Sequence, residues 1–264
     1  MIKVAISGAS GRMGKMLIEA VLEAEDMTLA AALCPAGDAH IGEDAGAFAG
    51  RTTGVAVTSD IEAIAAADVL IDFTRPAGTL AYLKFCAEHS IGMVIGTTGF
   101  DAAGTAAIEE ASRSIPVVFA PNMSVGVNAA FKLVEVAARL LAGYDCEIVE
   151  MHHKHKVDAP SGTALEMGRR VAQARGVKFE DVALLSREGH TGERKPGTIG
   201  FAALRGGDVV GDHTVIFAST GERIEISHKS GSRAGYAQGS LEAARFILKK
   251  NNGLFSMSDV LGLR

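Results

Sequence analysis

The sequence predicts an α/β protein: a doubly wound parallel sheet, followed by a smaller α+β domain with a mixed or antiparallel sheet. Three observations predict it. From residue 2 to about 122, short apolar runs alternate with helical patterns, which indicates buried parallel strands joined by right-handed βαβ units. After Asn122 the rhythm changes to successive β-rich stretches with polar alternation. The 264 residues are also enough for two domains.

The elements follow in chain order. The first half is predicted to contain strands at 3–7, 28–33, 69–73, 92–96 and 116–120, and helices at 13–24, 60–66, 78–89 and 102–114. The second half is predicted to contain helices at 128–142, 163–175 and 234–250, and strands at 146–152, 198–204, 212–219 and 222–228. We expect one domain over 1–123, with the C-terminal segment 234–264 packing back on it, and a second domain over 124–233.

Composition narrows the class of protein. Hydrophobic residues make up 48% of the chain, so a substantial core is expected. The net charge of −5 argues against a nucleic-acid partner. Three widely spaced cysteines, without a C-x-x-C pair, suggest neither a disulfide framework nor a cysteine-rich metal site. The chain starts directly with a strand pattern and has no apolar run long enough to span a membrane, so we expect a cytoplasmic protein without membrane contact.

A glycine-rich segment, G-A-S-G-R-M-G at residues 8–14, lies between the first predicted strand and the first helix. We call it the glycine turn. Glycines permit a tight turn and close approach of a pyrophosphate, and the helix N-terminus offers free N–H groups. The turn therefore predicts a Rossmann-type dinucleotide site, with a strand–helix turn without a ligand as the alternative. Its spacing is G-x-x-G-x-x-G, because Ser10 stands where the commoner pattern has a second glycine.

The second half of this fingerprint is missing. An acid about 20 residues further on should bind the adenosine ribose, but Cys34 and Pro35 occupy that position. Asp38 and Glu43 are near but out of register, and no arginine or lysine lies within that loop to hold a 2′-phosphate. The sequence therefore predicts NADH or NADPH without deciding between them; dual use, or selectivity through backbone contacts, is expected.

Two further loops follow predicted strands, at the edge of the sheet where ligands bind in this fold class. They are F-T-R-P at residues 73–76 and G-T-T-G at residues 96–99. Their small and hydroxyl side chains would let the backbone approach a ribose and a nicotinamide. Turn chemistry alone is the alternative for each loop.

The segment E-M-H-H-K-H-K-V-D-A-P-S-G-T, residues 150–163, combines three histidines, two lysines and two acids. We call it the histidine loop. Histidine can donate and accept protons near neutral pH, and a lysine can hold a carboxylate or protonate a reacting group. His152 and His153 are adjacent at a strand end and should point to opposite faces. Thr163 with Glu166 predicts a capping box at a helix N-terminus that could bind a carboxylate.

Other interpretations of the histidine loop remain open. His152, His153 and His155 could bind zinc, although their spacing matches no common zinc motif and we predict no metal. A purely structural loop is the third possibility. Acid catalysis combined with anion binding is the prediction that explains all of these residue types together.

These motifs resemble one family over essentially the whole chain. Besides the glycine turn and the histidine loop, the resemblance includes F-T-R-P, G-T-T-G-F, A-P-N-M-S-V-G-V-N from residue 120, S-R-E-G-H-T-G-E-R from 186 and P-G-T-I-G-F from 196. The family is 4-hydroxy-tetrahydrodipicolinate reductase, also called dihydrodipicolinate reductase. It implies a cytoplasmic homotetramer in diaminopimelate and lysine biosynthesis that reduces a small dicarboxylate with NADH or NADPH. One departure is Cys34-Pro35, where well-studied relatives have an acid and an arginine.

The resemblance and the loops together suggest roles for individual residues. His152 is the expected proton donor and Lys156 its catalytic partner, while His153, Gly162 and Thr163 are expected to bind substrate carboxylates. Expected cofactor contacts are Gly8, Ala9, Ser10, Gly11, Arg12, Met13, Cys34, Phe73, Thr74, Arg75, Gly96, Thr97, Thr98, Ala120, Pro121, Asn122 and Met123. A dehydrogenase with another substrate and a dinucleotide-sensing protein without activity are the two rival functions.

Overall fold

The computed structural model describes residues 1–263. The strands are β1 (Ile2–Ser7), β2 (Met27–Leu33), β3 (Val57–Thr58), β4 (Val69–Asp72), β5 (Gly92–Ile95), β6 (Pro116–Phe119), β7 (Asp145–His152), β8 (Ala183–Leu184), β9 (Ile199–Arg205), β10 (Gly211–Ser219), β11 (Glu222–Ser230) and β12 (Gly253–Phe255). The α-helices are α1 (Arg12–Glu23), α2 (Pro76–Glu88), α3 (Ala102–Ala111), α4 (Val125–Leu140), α5 (Gly162–Ala174), α6 (Phe179–Val182), α7 (Ala234–Ile247) and α8 (Met257–Val260).

The chain divides into two compact units. The first consists of Met1–Val125 together with residues 233–263, and the second of Gly126–Ser232. The last helices, α7 and α8, therefore return to the first unit after the second has been completed.

The first unit contains a parallel sheet in the order β12-β6-β5-β4-β1-β2-β3. Alternate residues of its central strands enter two separate cores: Val4 and Ile6 pack on one face of the sheet, and Ala5 packs on the other. Burial on both faces explains why these strands are continuously apolar. The chain leaves β1 toward β2 on one side and returns at β4 on the other, so the carboxyl ends of β1 and β4 form the topological switch point.

The second unit contains a mixed sheet in the order β11-β10-β7-β9-β8. Strand β10 runs antiparallel to β7 and β11, whereas β7 and β9 are parallel. Every second residue of β7 from Cys146 onward is buried, and Cys146 and Ile148 pack with apolar residues of α4 and α5. The sheet therefore uses one face for its core. The expected fold class, a Rossmann-type parallel sheet plus a smaller α+β unit with a mixed sheet, is confirmed.

Three local details differ from the prediction. Residues Ile61–Ala66 form a 3₁₀ helix instead of an α-helix. Strand β12 extends the parallel sheet beside β6, although no strand was predicted after the last helix. Strands β3 and β8 have two residues each, which is too short for a periodic pattern. Within residues 1–263, no helix is long and apolar enough to cross a membrane.

Candidate active site

The glycine turn has the backbone geometry that a bound pyrophosphate requires. Gly8 adopts φ +67°, a conformation that side chains disfavour. A Cβ on Gly14 would lie 2.1 Å from the Gly8 carbonyl oxygen, so only glycine lets α1 start this close to β1. Gly11 is the N-cap of α1, and no side chain of the described residues caps the helix there. The first-turn N–H groups remain available, which fits a dinucleotide phosphate.

The end of β2 docks on the glycine turn. The Ser10 amide donates to the Cys34 sulfur at 3.3 Å, and the Ser10 hydroxyl donates to Asp38 Oδ2 at 2.7 Å. Cys34 itself is 2% exposed. Asp38, which is out of register with the fingerprint in the sequence, therefore lies beside the glycine turn in space. A turn returns the chain to Ser10: the Asp38 amide donates to the Pro35 carbonyl, and Gly37 adopts φ +85°.

A buried carboxylate organises the carboxyl end of β4. Asp72 is fully buried and accepts hydrogen bonds from four hydroxyl groups. Their donors are Ser7 (2.5 Å), Thr74 (2.8 Å), Thr79 (2.5 Å) and Thr97 (2.7 Å). These donors belong to β1, to the F-T-R-P loop, to α2 and to the G-T-T-G loop, so one side chain fixes all four segments at the switch point.

The two predicted loops also contact each other directly. The Thr74 amide donates to the Thr97 hydroxyl at 2.9 Å. A Cβ on Gly96 would lie 2.2 Å from the Phe73 ring, so the glycine is needed for Phe73 to pack there. The structure thus brings the F-T-R-P and G-T-T-G loops together, as neighbouring parallel strands require.

The other expected cofactor residues lie on the same unit with different exposure. Arg12, Arg75, Thr98 and Pro121 are exposed, whereas Ala9, Ala120 and Met123 are buried. The Ala120 amide donates to the Ile95 carbonyl at 3.2 Å, which holds the end of β6 against β5. Met13 and Asn122 are half-buried.

In the second unit, a buried carboxylate orients the histidine that ends β7. Glu150 and His152 lie on the same face of the strand and are 1% and 8% exposed. Glu150 Oε2 lies 2.6 Å from His152 Nδ1, while Arg205 donates two hydrogen bonds of 2.8 Å to the same carboxylate. Burial raises the pKa of Glu150, but the hydrogen bonds from Arg205 and His152 outweigh it and hold that pKa below its ordinary value. The carboxylate is therefore ionised at neutral pH.

The same carboxylate connects the histidine to a helix N-terminus. The Ser161 amide donates to Glu150 Oε1 at 3.1 Å. Ser161 is the N-cap of α5, because its hydroxyl accepts from the Ala164 amide. The predicted capping box of Thr163 and Glu166 is therefore wrong: the helix starts one residue earlier, at Gly162.

Glu166 instead forms an ion pair with Arg170, one helical turn further on, at 2.8 Å. Gly162 is exposed and Thr163 is half-buried at the start of α5. Both lie where the first-turn N–H groups of the helix could meet a carboxylate.

A second buried histidine lies beside the first. The rings of His152 and His213 are 5.1 Å apart and nearly perpendicular. His213 Nε2 is 2.8 Å from the Ser161 hydroxyl, and within residues 1–263 its Nδ1 has no hydrogen-bond partner. Burial, followed by the proximity of His152, lowers the pKa of His213 to about 4. His213 is therefore neutral at physiological pH and adds no positive charge beside His152.

The remaining residues of the histidine loop are more exposed. Lys156 Nζ forms an ion pair with Asp158 Oδ1 at 2.8 Å. The amide of His155 donates to His153 Nδ1 at 3.2 Å. Among the residues that the structure describes, no three His, Cys, Asp or Glu side chains converge as metal ligands. The structure thus brings His152, Glu150 and Ser161 together, whereas Lys156 pairs within its own loop.

The shifted pKa of His213 predicts a pH dependence of stability. The unfolded chain has the ordinary histidine pKa of 6.5, so below that pH it binds a proton that the folded state binds only near pH 4. The free energy of unfolding should therefore be unaffected above pH 6.5 and fall by about 2 kcal/mol from this group between pH 7 and pH 5. Urea unfolding at both pH values, compared between the parent and His213→Gln, measures this difference.

Glutamine retains a polar group near Ser161 without titrating. Glu150 contributes in the same direction only below its ordinary pKa of 4.5, outside this window. His228, whose pKa burial also lowers, is retained in both proteins and cancels in the comparison. An equal loss of stability in parent and variant would contradict the prediction.

Three residues of this arrangement were not identified from the sequence: Arg205, His213 and the clustered Asp72. Arg205 lies 55 residues from Glu150, and His213 lies 52 residues from Ser161. No local sequence pattern could therefore predict these contacts. Asp72 had a weak signal, since a charged residue ending an otherwise apolar strand at the switch point needs buried partners.

Comparisons with known proteins agree with this architecture. Residues 2–123 match the family described as dihydrodipicolinate reductase, N-terminus, and residues 126–261 match its C-terminus. The chain is 62% identical to the 4-hydroxy-tetrahydrodipicolinate reductase of Bordetella parapertussis strain 12822, over 99% of this chain and 97% of that protein. It is 63% identical to the enzyme of the same name from Cupriavidus necator strain H16, over 99% of each chain.

A solved structure shows the same fold. The dipicolinate-bound dihydrodipicolinate reductase from Paenisporosarcina sp. TG-14 superposes with a TM-score of 0.78 at 24% identity, covering 97% of each chain. With both halves matched and relatives above 60% identity along its length, the chain belongs to the dihydrodipicolinate reductase family.

Proposed function

We propose that this protein reduces 4-hydroxy-tetrahydrodipicolinate, through dihydrodipicolinate, to tetrahydrodipicolinate in the diaminopimelate and lysine pathway. NADH or NADPH would supply the electrons. The observation that carries the proposal is the contact set around Glu150, which holds the imidazole of His152 and the N-terminus of α5 at one end of β7. A proton donor and an anion-binding helix end are what reduction of a cyclic dicarboxylate needs.

The nicotinamide supplies hydride when it is bound, and the protein must supply a proton to the electron-rich product of that transfer. We assign this proton to His152. Because an ionised carboxylate can only accept, Nδ1 of His152 donates to Glu150, and Nε2 is the ring nitrogen left to exchange a proton with the substrate. Nε2 lies near Gly211, where a Cβ would come within 3.0 Å of it, so glycine keeps that edge of the ring accessible.

The substrate carboxylates would bind at the N-terminus of α5. Gly162 and Thr163 are the first two residues of this helix, and the first turn of a helix directs its N–H groups outward along the helix axis. A carboxylate gains charge-assisted hydrogen bonds from such groups and is favoured by the helix dipole. His153 and Lys156 add hydrogen-bonding capacity and positive charge from the same loop.

The nicotinamide dinucleotide would bind on the first unit. The glycine turn, from Gly8 to Met13, would hold the pyrophosphate, and the F-T-R-P and G-T-T-G loops fixed by Asp72 would line the nicotinamide side. Residues 120–123 and Cys34 complete the proposed contacts. By family, we also propose that residues 124–233 form the substrate-binding and oligomerisation domain of a cytoplasmic homotetramer.

The decisive experiment follows the loss of absorbance of the reduced nicotinamide with freshly generated 4-hydroxy-tetrahydrodipicolinate, with NADH and NADPH side by side. Turnover that depends on the substrate is the expected result. Omitting the substrate and substituting dipicolinate, which is already aromatic, are the matched controls. Tight nucleotide binding without turnover of either cofactor would contradict the proposal and favour a dinucleotide sensor.

A further inference from the structure

We propose that Asp38 is the residue that selects the cofactor: its carboxylate binds the adenosine ribose hydroxyls and makes the protein prefer NADH over NADPH. The inference rests on the proposed function, because it assumes a dinucleotide on the glycine turn. The fingerprint predicts an acid at position 34, which is Cys34. We assign the ribose instead to Asp38, four positions later.

The chain reaches this position by a turn after β2. The strand ends at Leu33, and the Ala9 amide donates to the Leu33 carbonyl at 3.0 Å, which aligns the end of β2 with the glycine turn. The turn from Pro35 to Asp38 then reverses the chain, with Gly37 supplying the positive φ. As a result, Asp38 lies beside Ser10, the residue that replaces the usual second glycine.

The contacts of Asp38 leave room for a ligand. Its Oδ2 accepts from the Ser10 hydroxyl at 2.7 Å, and its Oδ1 accepts from the His40 amide at 3.0 Å. An ionised carboxylate has about four acceptor positions, so two remain for donors from outside the protein. The side chain is half-buried, on a surface that solvent reaches. These same two hydrogen bonds lower the pKa of Asp38, which keeps it charged at neutral pH.

The positively charged groups near Asp38 make their direct contacts with other residues and act on its carboxylate only from a distance. Lys15 Nζ lies over the Phe48 ring, 4.7 Å from its centroid. His40 Nδ1 pairs with Glu43 Oε2 at 2.7 Å. Asp38 therefore presents a negative charge that no direct ion pair in the described residues neutralises.

The two cofactors differ at the atom that would meet this carboxylate. The adenosine ribose of NADH carries a 2′-hydroxyl and a 3′-hydroxyl, both hydrogen-bond donors. In NADPH a phosphate with about two negative charges replaces the 2′-hydroxyl, so one donor is lost and like charges approach each other. A hydrogen bond to a charged group contributes enough to predict a preference of about tenfold to a hundredfold for NADH.

The test measures binding, apart from turnover. The dissociation constants of NADH and NADPH are determined by nicotinamide fluorescence for the parent, Asp38→Asn, Asp38→Ser and Glu43→Gln. Adenosine 5′-monophosphate and its 2′-phosphorylated form, used as competitors, restrict the comparison to the adenosine end. Glu43→Gln is the matched control, since it removes the same charge from the same loop at an exposed position.

We expect the parent and Glu43→Gln to bind NADH at least tenfold more tightly than NADPH, and both Asp38 variants to lose most of this ratio. Asparagine preserves the size of the side chain, whereas serine opens space for a phosphate. Because the two substitutions differ in size, a folding defect in one variant need not occur in the other, and the test remains possible. Equal binding of both cofactors by the parent, tighter binding of NADPH through Arg12 and Lys15, or an unchanged ratio in the Asp38 variants would overturn the inference while leaving turnover intact. Absence of binding and turnover with either cofactor would overturn the proposed function as well.

Discussion

Replacing His152 with glutamine should lower kcat by about 10²–10⁴-fold, the usual range for the loss of a general acid. Glutamine can still donate to Glu150 from a side chain of similar reach, but it carries no proton that it can release near neutral pH. The dissociation constant of the nicotinamide cofactor should remain unchanged, because the glycine turn belongs to the other unit. Steady-state kinetics and fluorescence titration of the same preparation measure both quantities.

His155→Gln is the matched control for this variant. His155 lies in the same loop but is exposed; the substitution retains the amide that donates to His153 Nδ1 and removes only the ring, whose centroid is 6.2 Å from that of His153. Its kcat should stay within about twofold of the parent, as for other exposed positions away from special contacts. If His152→Gln kept the parental kcat, or if both variants lost activity equally, His152 could not be the proton donor.

The fold was predictable where the chain repeats a strong pattern. Strands β1, β4 and β5 are continuous apolar runs, and their assigned boundaries differ from the predicted ones by one residue at most. Such strands are buried on both faces, so burial alone produces their signature. Strand β12 has three residues and owes its place to the edge of β6, a neighbour more than 130 positions earlier. Local periodicity carries no information about such a pairing.

The sequence indicates parts of the proposed site where the signal is local, as it does for the strands. The glycine turn can be identified locally, because it lies between β1 and α1 in the sequence. The order of strand, glycine-rich turn and helix is what indicates a phosphate site. Linear spacing places Asp38 out of register, whereas its contact with Ser10 depends on the turn between Pro35 and Asp38. Gly37, at φ +85°, permits that turn because it has no side chain, and linear spacing does not reveal it.

The capping box at Thr163 failed for a different physical reason. Both Ser161 and Thr163 can cap a helix, and the sequence alone gives them similar propensities. The choice was made by tertiary contacts: Glu150 accepts from the Ser161 amide, and His213 contacts its hydroxyl. Buried partners from β7 and β10 thus fixed the start of α5; Glu150 lies 11 residues and His213 52 residues from Ser161, so neither is within reach of a local capping pattern.

Replacing Lys156 with alanine is the second substitution for which we expect a large effect, a fall in kcat of at least about 10²-fold. In the structure Lys156 Nζ pairs with Asp158, whose side chain is 56% exposed. Exposed ion pairs contribute only about 0–1 kcal/mol, so the ammonium can exchange this partner for a substrate carboxylate or a reacting group at little cost. Alanine removes a charge that the protein would otherwise apply to a substrate with two carboxylates.

Lys154→Ala provides the control, because Lys154 is an exposed lysine two positions earlier in the same loop. Loss of activity in both variants would indicate a general effect of positive charge on substrate attraction, and that effect should weaken as salt is added. Loss in Lys156→Ala alone, at constant cofactor affinity, would assign a specific role to Lys156. Equal kcat in the parent and in Lys156→Ala would contradict that role.

Whether Lys156→Ala changes kcat or KM then indicates the stage of the reaction at which the Lys156 ammonium makes its contact. An interaction that is made equally with the substrate and with the transition state appears in KM, whereas one made only in the transition state appears in kcat. We expect the change to fall mainly on kcat, which would indicate that the ammonium acts on the charge that develops in the transition state. A rise in KM at unchanged kcat would instead assign Lys156 to substrate binding, beside Gly162 and Thr163, and leave His152 as the protein's proton donor.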